Sequence, residues 1–359
     1  MPRSVVIVGA GLIGSAVAWE LAQAGARVTV LEKSVPGAEA STVAAGILAP
    51  RIEHAEGPLL SFGLASLEAH GRWAARLGAL GLETGHRQSG ALELAMNAAE
   101  AAELARRGGT LVNGVEARRL EPALSHAVVA ARVLPHEAQT EPPRLLRALL
   151  LAAERAGARF LGGASVEGLV REAGRVVGVR WSGETLRADA VVIAAGAWTG
   201  QLGGLPEPLA RSVRPVRGQL VHLDARRPLV DRVIFGSGAY VVPRSDGRVV
   251  LGATMEEAGF SRTVTLGGAV AVASRGIALV PGLAEAELVT HAVNFRPASS
   301  DERPLIGESE PGLVLATGHF RNGVLLAPAT AELVADRILG RPLRHDAAAF
   351  DPRRFGAVS

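Results

Sequence analysis

Residues 4–14, SVVIVGAGLIG, decide how the N-terminal part of the chain folds. The run before the first glycine is aliphatic and mostly β-branched, which is typical of a buried parallel strand. The apolar spacing of Ile13–Ala24 then predicts a helix closed by Gly25 in a left-handed cap, and Arg27–Leu31 predicts a second strand. A strand, a glycine turn, a helix and a strand in this order predict a βαβ unit whose two strands run parallel.

The three glycines of this turn have separate roles in a dinucleotide site. Gly9 permits the tight turn, Gly11 lets backbone N–H groups approach a pyrophosphate, and Gly14 lets the helix pack closely on the strand. Glu32 ends the second strand, where a carboxylate accepts hydrogen bonds from ribose hydroxyls and repels a 2′-phosphate. The pattern predicts dinucleotide binding and disfavours NADP, but nothing up to Glu32 decides between NAD and FAD.

Composition narrows the class of protein. A chain of 359 residues is long enough for two domains, and 48% of its residues are apolar. Its formal net charge is only +3, and its basic residues, all arginine except Lys33, form no run, so the sequence offers no nucleic-acid-binding surface. It has no cysteine, which excludes disulfides, thiolate metal sites and cofactors linked through a cysteine sulfur. We expect no bound metal, no membrane span and a cytoplasmic protein.

The rest of the chain alternates predicted helices and strands without an internal repeat. Helical spacing predicts helices over Ala65–Leu80, Ala98–Gly108, Pro142–Gly157 and Thr265–Leu279. Strands are predicted for one hairpin series at Ser165–Arg171, Val176–Trp181 and Ala190–Ala194, and for a separate run at Glu287–Arg296. The last predicted elements are a strand at Leu313–Ala316 and, within Gly323–Leu339, a glycine-containing turn and a long helix that the segment Gly318–Leu326 precedes.

Several later segments resemble the D-amino-acid oxidase superfamily of FAD enzymes. Ala40–Leu48 (ASTVAAGIL) is similar to the loop after the second strand, and Val191–Trp198 (VVIAAGAW) to the second glycine-turn signature. The strongest likeness is to the glycine oxidases of this superfamily. It rests on Arg217–Gln219 (RGQ), Ala239–Arg244 (AYVVPR), Gly252–Glu256 (GATME), Phe295–Pro297 (FRP) and Gly318–Pro328 (GHFRNGVLLAP). These segments follow one another along most of the chain, whereas Leu82–Arg132 matches least.

The resemblance implies an α/β fold, α+β overall. A glutathione-reductase-like Rossmann domain that binds FAD is expected to be interwoven with a substrate domain built on an antiparallel sheet. The FAD-binding domain is expected to be discontinuous and to take residues 1–82, 138–216 and 297–345. The substrate domain is expected over residues 83–137 and 217–296, with 346–359 as a C-terminal tail. The resemblance also implies a homotetramer.

Four residues are the substrate-binding candidates that the resemblance implies, namely Arg296, Tyr240, Arg321 and Met255. Arg296 is the expected anchor, because a guanidinium fork binds a carboxylate through two parallel hydrogen bonds. Tyr240, the single tyrosine of the chain, is expected to donate its hydroxyl to the same carboxylate, and Met255 to close the pocket. No general base is assigned, because hydride departure from Cα requires only the amine lone pair.

The cofactor-binding candidates lie in the glycine turn, the loops after two strands and the segment before the last helix. Within that segment His319 is expected to be structural or to contribute its backbone, and the helix that follows to direct its N-terminus at the flavin. The full set is Gly9, Gly11, Leu12, Ile13, Gly14, Glu32, Lys33, Ala40, Ser41, Thr42, Ala45, Gly46, Ile47, Leu48, Val166, Ala195, Gly196, Trp198, Gly218, His319, Phe320, Arg321, Asn322, Gly323, Val324 and Leu325.

The activity that the resemblance implies is that of an FAD-dependent amine oxidase serving thiamine biosynthesis. Glycine or a related small amino acid, such as sarcosine or a small D-amino acid, would be oxidised to the imine. Hydrolysis would give glyoxylate or a keto acid and ammonia, and molecular oxygen would reoxidise the noncovalently bound flavin to give hydrogen peroxide. A D-amino-acid or sarcosine dehydrogenase with another electron acceptor, and a noncatalytic flavin-binding subunit, stay open as alternatives. The second glycine turn and the C-terminal segment argue against an NAD-dependent dehydrogenase.

Overall fold

A computed structural model describes residues 3–53 and 56–356. Its strands are β1 (Ser4–Val8), β2 (Arg27–Leu31), β3 (Ile47–Leu48), β4 (Ala91–Ala95), β5 (Thr110–Asn113), β6 (Ala130–Leu134), β7 (Ala138–Gln139), β8 (Arg159–Leu161), β9 (Val166–Glu172), β10 (Arg175–Trp181), β11 (Glu184–Arg187), β12 (Ala190–Ile193), β13 (Val213–Asp224), β14 (Val233–Gly236), β15 (Ala239–Pro243), β16 (Arg248–Gly252), β17 (Glu287–Ser299), β18 (Leu305–Glu310) and β19 (Leu313–Thr317). Its helices are α1 (Leu12–Gln23), α2 (Ala40–Val43), α3 (Pro50–Glu53), α4 (Pro58–Gly78), α5 (Ala98–Arg106), α6 (Gly114–Leu120), α7 (Pro142–Arg155), α8 (Glu207–Arg211), α9 (Leu266–Leu279) and α10 (Ala327–Leu339).

The N-terminal βαβ unit forms the centre of a six-stranded sheet with the order β18-β19-β12-β1-β2-β8. β1 pairs in parallel with both β2 and β12, and only the edge strand β18 runs antiparallel. All four residues of β12 and four of the five in β1 are buried, as expected for strands covered on both faces. Consequently the glycine turn after β1 and the turn after β12 open at the same edge of the sheet.

Helices cover one face of this sheet and build the main core. α1 packs against α7 and α10, and α10 also packs against α4. The rings of Trp19 in α1 and Trp73 in α4 meet edge to face with centroids 5.4 Å apart, and both side chains are fully buried. None of the helices within the described residues is long and apolar enough to cross a membrane.

A second sheet of eight strands has the order β17-β13-β16-β15-β14-β4-β6-β5. All its pairings are antiparallel except the one between β14 and β4. Its longest ladder joins the edge strand β17 to β13 and continues toward the six-stranded sheet. There, a bridge between Ala298 and His319 brings β17 to the segment that follows β19. The expected fold class is therefore confirmed, whereas the expected domain bounds stay a prediction.

Two assignments made from the sequence need correction. The run Ala190–Ala194 is not part of the hairpin series, because β12 inserts between β1 and β19, and the series ends instead with the polar strand β11. The strand predicted to end at Arg296 continues to Ser299, since Pro297 faces Pro215 across the ladder. Facing residues in an antiparallel pair either both exchange hydrogen bonds or both do not, so two opposed prolines leave no missing donor.

The last helix begins at Ala327, directly after the segment Gly318–Leu326 as expected, with Pro328 in its first turn. Proline suits this position because the first N–H groups of a helix have no acceptor within the helix. The residues before it form a separate 3-10 turn at Phe320–Asn322. The segment from Gly318 is therefore a loop with its own geometry.

Candidate active site

A cavity of about 430 Å³ lies between the two sheets. Its walls come from the glycine turn after β1, the end of β2, α2, the turn after β12, the β13–β17 ladder and the loop before α10. Open α/β sheets bind ligands at the carboxyl ends of their strands, where connections leave in opposite directions. The cavity therefore extends from a dinucleotide-type turn to the face of the eight-stranded sheet.

Close backbone contacts shape the glycine turn. Gly9 has φ +105°, and a Cβ there would lie 2.5 Å from the carbonyl oxygen of Ala194 in the turn after β12. A Cβ on Gly14 would overlap the carbonyl oxygen of Gly9. Gly14 does not line the cavity. Its lack of a side chain instead allows α1 to pack closely against the turn. Both positions exclude a side chain for steric reasons.

The polar groups around this turn match the parts of a dinucleotide. The N–H of Leu12, the first residue of α1, donates to Ser41 Oγ over 2.8 Å, so helix, turn and α2 meet at one point. Glu32 is buried, and its carboxylate accepts hydrogen bonds from Ala10 N at 2.9 Å and Ser34 N at 3.1 Å. A helix N-terminus favours a phosphate, and a carboxylate fixed in this way can accept from ribose hydroxyls. These residues fit FAD or NAD.

An aromatic cluster stands beside Glu32. Lys33 Nζ lies 3.6 Å from the ring centroid of Trp198, and Trp198 meets Phe295 edge to face at 6.0 Å. Burial lowers the pKa of the Lys33 ammonium below its usual value. Trp198 follows β12, and Phe295 belongs to β17, so the cluster connects the two sheets.

The eight-stranded sheet places Arg296 over a glycine. The Arg296 side chain extends across β13, where a Cβ on Gly218 would come within 2.5 Å of its Cζ. Its Nη1 donates to the carbonyl oxygen of Thr254 over 3.1 Å. Thr254 is held in turn by Glu256, whose carboxylate accepts from Thr254 Oγ1 at 2.5 Å and from Gln219 Nε2 at 2.7 Å. The guanidinium thus has a fixed position on the cavity wall.

Tyr240 lies over a second glycine of the eight-stranded sheet. It faces Gly252 across the β15–β16 pair, and a Cβ on Gly252 would overlap its phenol ring and hydroxyl. Burial raises the pKa of the Tyr240 hydroxyl above its usual value; the Glu53 carboxylate acts in the same direction, and the neighbouring Arg296 guanidinium opposes both. The hydroxyl therefore keeps its proton at neutral pH, as a donor beside a cation.

An ion pair also lines the cavity. Arg321 Nε is 3.2 Å from Glu53 Oε2, and both residues line the cavity together with Arg296 and Tyr240. Glu53 ends α3, and Arg321 belongs to the 3-10 turn before α10. Glu53 could not be singled out from the sequence, because a lone glutamate after an apolar segment carries no signal by itself.

The loop before α10 is fixed from behind by α4. Ser66 Oγ donates to the carbonyl oxygen of Leu325 over 2.7 Å, and His70 Nε2 contacts the carbonyl oxygen of Val324 at 2.9 Å. A carbonyl only accepts, so this nitrogen of His70 carries the proton. His319 Nε2 lies 3.0 Å from Thr330 Oγ1, and burial lowers the pKa of His319 to about 3. His319 is therefore neutral, as expected of a structural residue.

Most of the residues singled out from the sequence meet in this one cavity. Four of them do not line it, namely Met255, Gly14, Thr42 and Leu48. Met255 is 56% exposed, because the bridge between Arg217 and Glu256 directs the neighbouring side chain away from the cavity. The Thr42 hydroxyl donates to the carbonyl oxygen of Gly37, and Leu48 is a core residue. The lining residues that the sequence analysis missed include Glu53, Leu220 and Asn294.

Comparisons with known proteins agree with this geometry. A family model described as FAD dependent oxidoreductase (DAO) matches residues 4–337. The chain is 36% identical to the glycine oxidase of Geobacillus kaustophilus over 372 residues, covering 99% of this chain and 98% of that protein. The crystal structure of glycine oxidase from that organism superposes with a TM-score of 0.91, and covers 98% of this chain and 99% of its own.

A second relative is longer than this chain. The chain is 36% identical over 352 residues to the bifunctional protein ThiO/ThiG of Nostoc sp., covering 94% of this chain but 53% of that protein. It thus spans about half the length of this relative. A crystal structure of iminodiacetate oxidase from Chelativorans sp. is also similar, with a TM-score of 0.87 at 30% identity over 97% of this chain and 98% of that one.

Proposed function

The chain belongs to the DAO family of FAD dependent oxidoreductases, and from this premise we propose that it is an amine oxidase acting on glycine or a closely related small amino acid. The observation that carries the proposal is the pairing of Arg296 and Tyr240 on the sheet face opposite the dinucleotide turn. Two donors side by side, one of them charged, suit a carboxylate. The identity to glycine oxidases supports the choice of glycine.

The residues divide the work between cofactor and substrate. FAD, when bound, supplies the two-electron acceptor for the substrate's Cα–H bond. The glycine turn and Glu32 would hold its diphosphate and ribose, in keeping with their donors and acceptor. The loop from Gly318 to Leu325, fixed by Ser66 and His70, would form the wall next to the ring system.

Arg296 would bind the substrate carboxylate with its planar fork, and Tyr240 would donate its hydroxyl to the same group. Holding the carboxylate fixes where Cα lies, so position accounts for most of the catalytic effect of these two residues. Neither residue takes a proton from the substrate, because one is a permanent cation and the pKa of the other is raised. Hydride transfer from Cα then requires only that the amine of the substrate be deprotonated.

The overall reaction would convert glycine, oxygen and water to glyoxylate, ammonia and hydrogen peroxide. We place it in thiamine biosynthesis, on the relation to the ThiO part of the bifunctional relatives.

We also propose a cytoplasmic homotetramer. Exposed apolar side chains on α9 and the edge strand β17 support self-association, namely those of Leu266, Val270, Leu288 and Val289. Light scattering on the purified protein tests the oligomer.

The test of activity is peroxide formation with oxygen as the sole electron acceptor. Purified protein is incubated with glycine, sarcosine or small D-amino acids, and peroxide and the keto or aldehyde acid are both measured. We expect equal amounts of the two products and the highest kcat/KM for glycine or sarcosine. Turnover only in the presence of a quinone or dye would replace the oxidase with a dehydrogenase.

A further inference from the structure

We propose that Glu53 is a specificity-determining residue that selects monocarboxylic over dicarboxylic amino acids. By neutralising Arg321, it leaves Arg296 as the one guanidinium without a carboxylate partner among the described residues that line the cavity. The inference deepens the proposed function and rests on it. It concerns which charges the cavity offers to a second carboxylate, a property that the glycine oxidase resemblance alone does not give.

The charges on the cavity wall carry the argument. Within the residues that the structure describes, Arg296 forms no ion pair with a carboxylate, and its side chain hydrogen-bonds only to neutral groups, the carbonyl oxygen of Thr254 and the Tyr240 hydroxyl. Arg321, in contrast, has Glu53 as an ion-pair partner at 3.2 Å, and both of these side chains are half-buried. Glu53 lines the same cavity as Tyr240 and Arg296, and its charge adds to the effect of burial in raising the pKa of Tyr240.

Two arginines, Arg132 in β6 and Arg107 at the end of α5, hold the helix that carries Glu53. Arg107 Nη2 donates to the carbonyl oxygen of Ile52 over 2.6 Å, and Arg132 Nη2 donates to that of Arg51 over 2.8 Å. Both arginines are themselves paired with Glu93. Cationic donors satisfy carbonyls at the C-terminal end of a helix, so these hydrogen bonds fix the position of α3. Glu53 is therefore a placed charge and not a side chain on a free loop.

A second carboxylate on the substrate would meet this charge. Like charges a few ångströms apart in a half-buried site repel, and Arg321 cannot offset the repulsion while it is paired. Specificity of this kind comes from a repulsive element built against the wrong ligand. Removing the Glu53 charge would leave Arg321 as an unpaired cation in the cavity. The second carboxylate of a dicarboxylate could then pair with Arg321.

The experiment compares one matched pair of inhibitors in the FAD-bound enzyme. Acetate carries one carboxylate and malonate two, and binding of each is followed by the change in the flavin absorption spectrum. Glu53→Gln keeps the size and a hydrogen-bonding oxygen but removes the charge. We expect the Kd for malonate to fall about tenfold or more, while the Kd for acetate changes less than about threefold. The kcat/KM ratio of iminodiacetate to glycine should rise by a similar factor.

Two controls separate this effect from a general change in charge. Glu103→Gln, on the exposed face of α5, alters the net charge equally by removing a surface partner of Arg106, and should leave both Kd values at the parental level. Glu53→Gln combined with Arg321→Gln should abolish the gain in malonate binding, because the cation is gone. If Glu53→Gln does not bind FAD, Arg321→Gln alone is tested. This variant leaves the Glu53 charge without a partner, so it should weaken the binding of malonate more than that of acetate.

The inference is overturned if acetate and malonate respond alike to Glu53→Gln, or if the double variant keeps the gain. Binding is measured without turnover, so the result does not depend on the oxidase activity. A parent enzyme that binds acetate but does not oxidise glycine would reject the proposed function and leave the charge test intact.

Discussion

The Arg296 guanidinium lies against the backbone of Gly218, so closely that a methyl group on Gly218 would come within 2.5 Å of Arg296 Cζ. The two residues belong to neighbouring strands, β17 and β13, of one ladder. The absence of a side chain on one strand therefore determines where the side chain of the other can lie, and Arg296 reaches the cavity by crossing that space.

Gly218→Ala should displace the guanidinium and reduce kcat/KM for glycine by about 10- to 100-fold, because a shift of about 1 Å in a positioning group is enough to cost this much. Steady-state kinetics with FAD-saturated enzyme measure this reduction in kcat/KM. The matched control is Gly267→Ala in α9, where an added Cβ would meet nothing within 4 Å and should leave kcat/KM unchanged. Parental kinetics for Gly218→Ala would show that Arg296 tolerates the methyl group without loss of function.

Arg296→Ala tests the anchor itself. Loss of one partner of a desolvated charge pair costs about 2 to 5 kcal/mol, which corresponds to roughly a 30-fold to several-thousand-fold lower kcat/KM for glycine. FAD should stay bound with a near-native spectrum. Arg296→Lys should recover only part of the activity, because an ammonium lacks the planar fork. An amine without a carboxylate is the substrate control and should lose far less; full activity of Arg296→Ala on glycine would reject the assignment.

Glu32→Gln should weaken FAD binding about tenfold, since hydrogen bonds to a charged acceptor contribute about 1.5 to 3 kcal/mol. The Kd is obtained by titrating apoprotein with FAD and following the quenching of flavin fluorescence. Ser34→Ala is the control, because it removes only the longer contact of Glu32, at 3.3 Å, and keeps the backbone N–H at 3.1 Å. Equal FAD affinity in the parent and Glu32→Gln would mean that the carboxylate does not bind the ribose.

Stability should depend on pH through two buried histidines. Burial lowers the pKa of His70 to about 4 and of His319 to about 3, whereas both titrate near 6.5 in an unfolded chain. Between these values the unfolded state binds protons that the folded state does not, so stability is full above about pH 6.5 and falls as the pH drops. Each histidine contributes a slope of up to about 1.4 kcal/mol per pH unit.

Urea unfolding of the parent and of His319→Gln from pH 4.5 to 7.5 measures this dependence. The variant lacks one titrating group, so its free energy of unfolding should fall less steeply below pH 6.5, whatever its stability at neutral pH. Carboxylates contribute equally to both curves. Parallel curves would show that His319 is protonated alike in the folded and unfolded states.

The βαβ unit was predictable to within a residue because each of its parts has a local cause. Aliphatic β-branched residues give β1 and β2, and steric contacts at Gly9 and Gly14 allow only glycine there. The segment from Ala190 to Ala194 was wrongly joined to the hairpin series because an aliphatic run does not specify its partner. Its position between β1 and β19 is a long-range result of sheet assembly.

The residues of the site were predictable where a family motif contains them, but not where a contact with a distant part of the chain defines them. Arg296 and Tyr240 were found through family motifs, and the structure brings both to the cavity. Met255 lies in the same kind of motif but faces outward, because a single backbone bridge at Glu256 decides its direction. Glu53, Ser66 and His70 act through partners far away in the sequence, on Arg321 and on the carbonyls of Val324 and Leu325. No local pattern encodes such contacts.

The two glycines under Arg296 and Tyr240 also determine how this chamber can evolve. Every single-base change that replaces a glycine codon by that of another amino acid introduces a Cβ atom. At Gly218 and Gly252 that atom would collide with the guanidinium or the phenol ring. Single-base substitutions that replace either of these two glycines would therefore disturb the site. We expect natural variants with altered substrate range to carry their changes at neighbouring side chains such as Leu220, whose size can vary without moving either group.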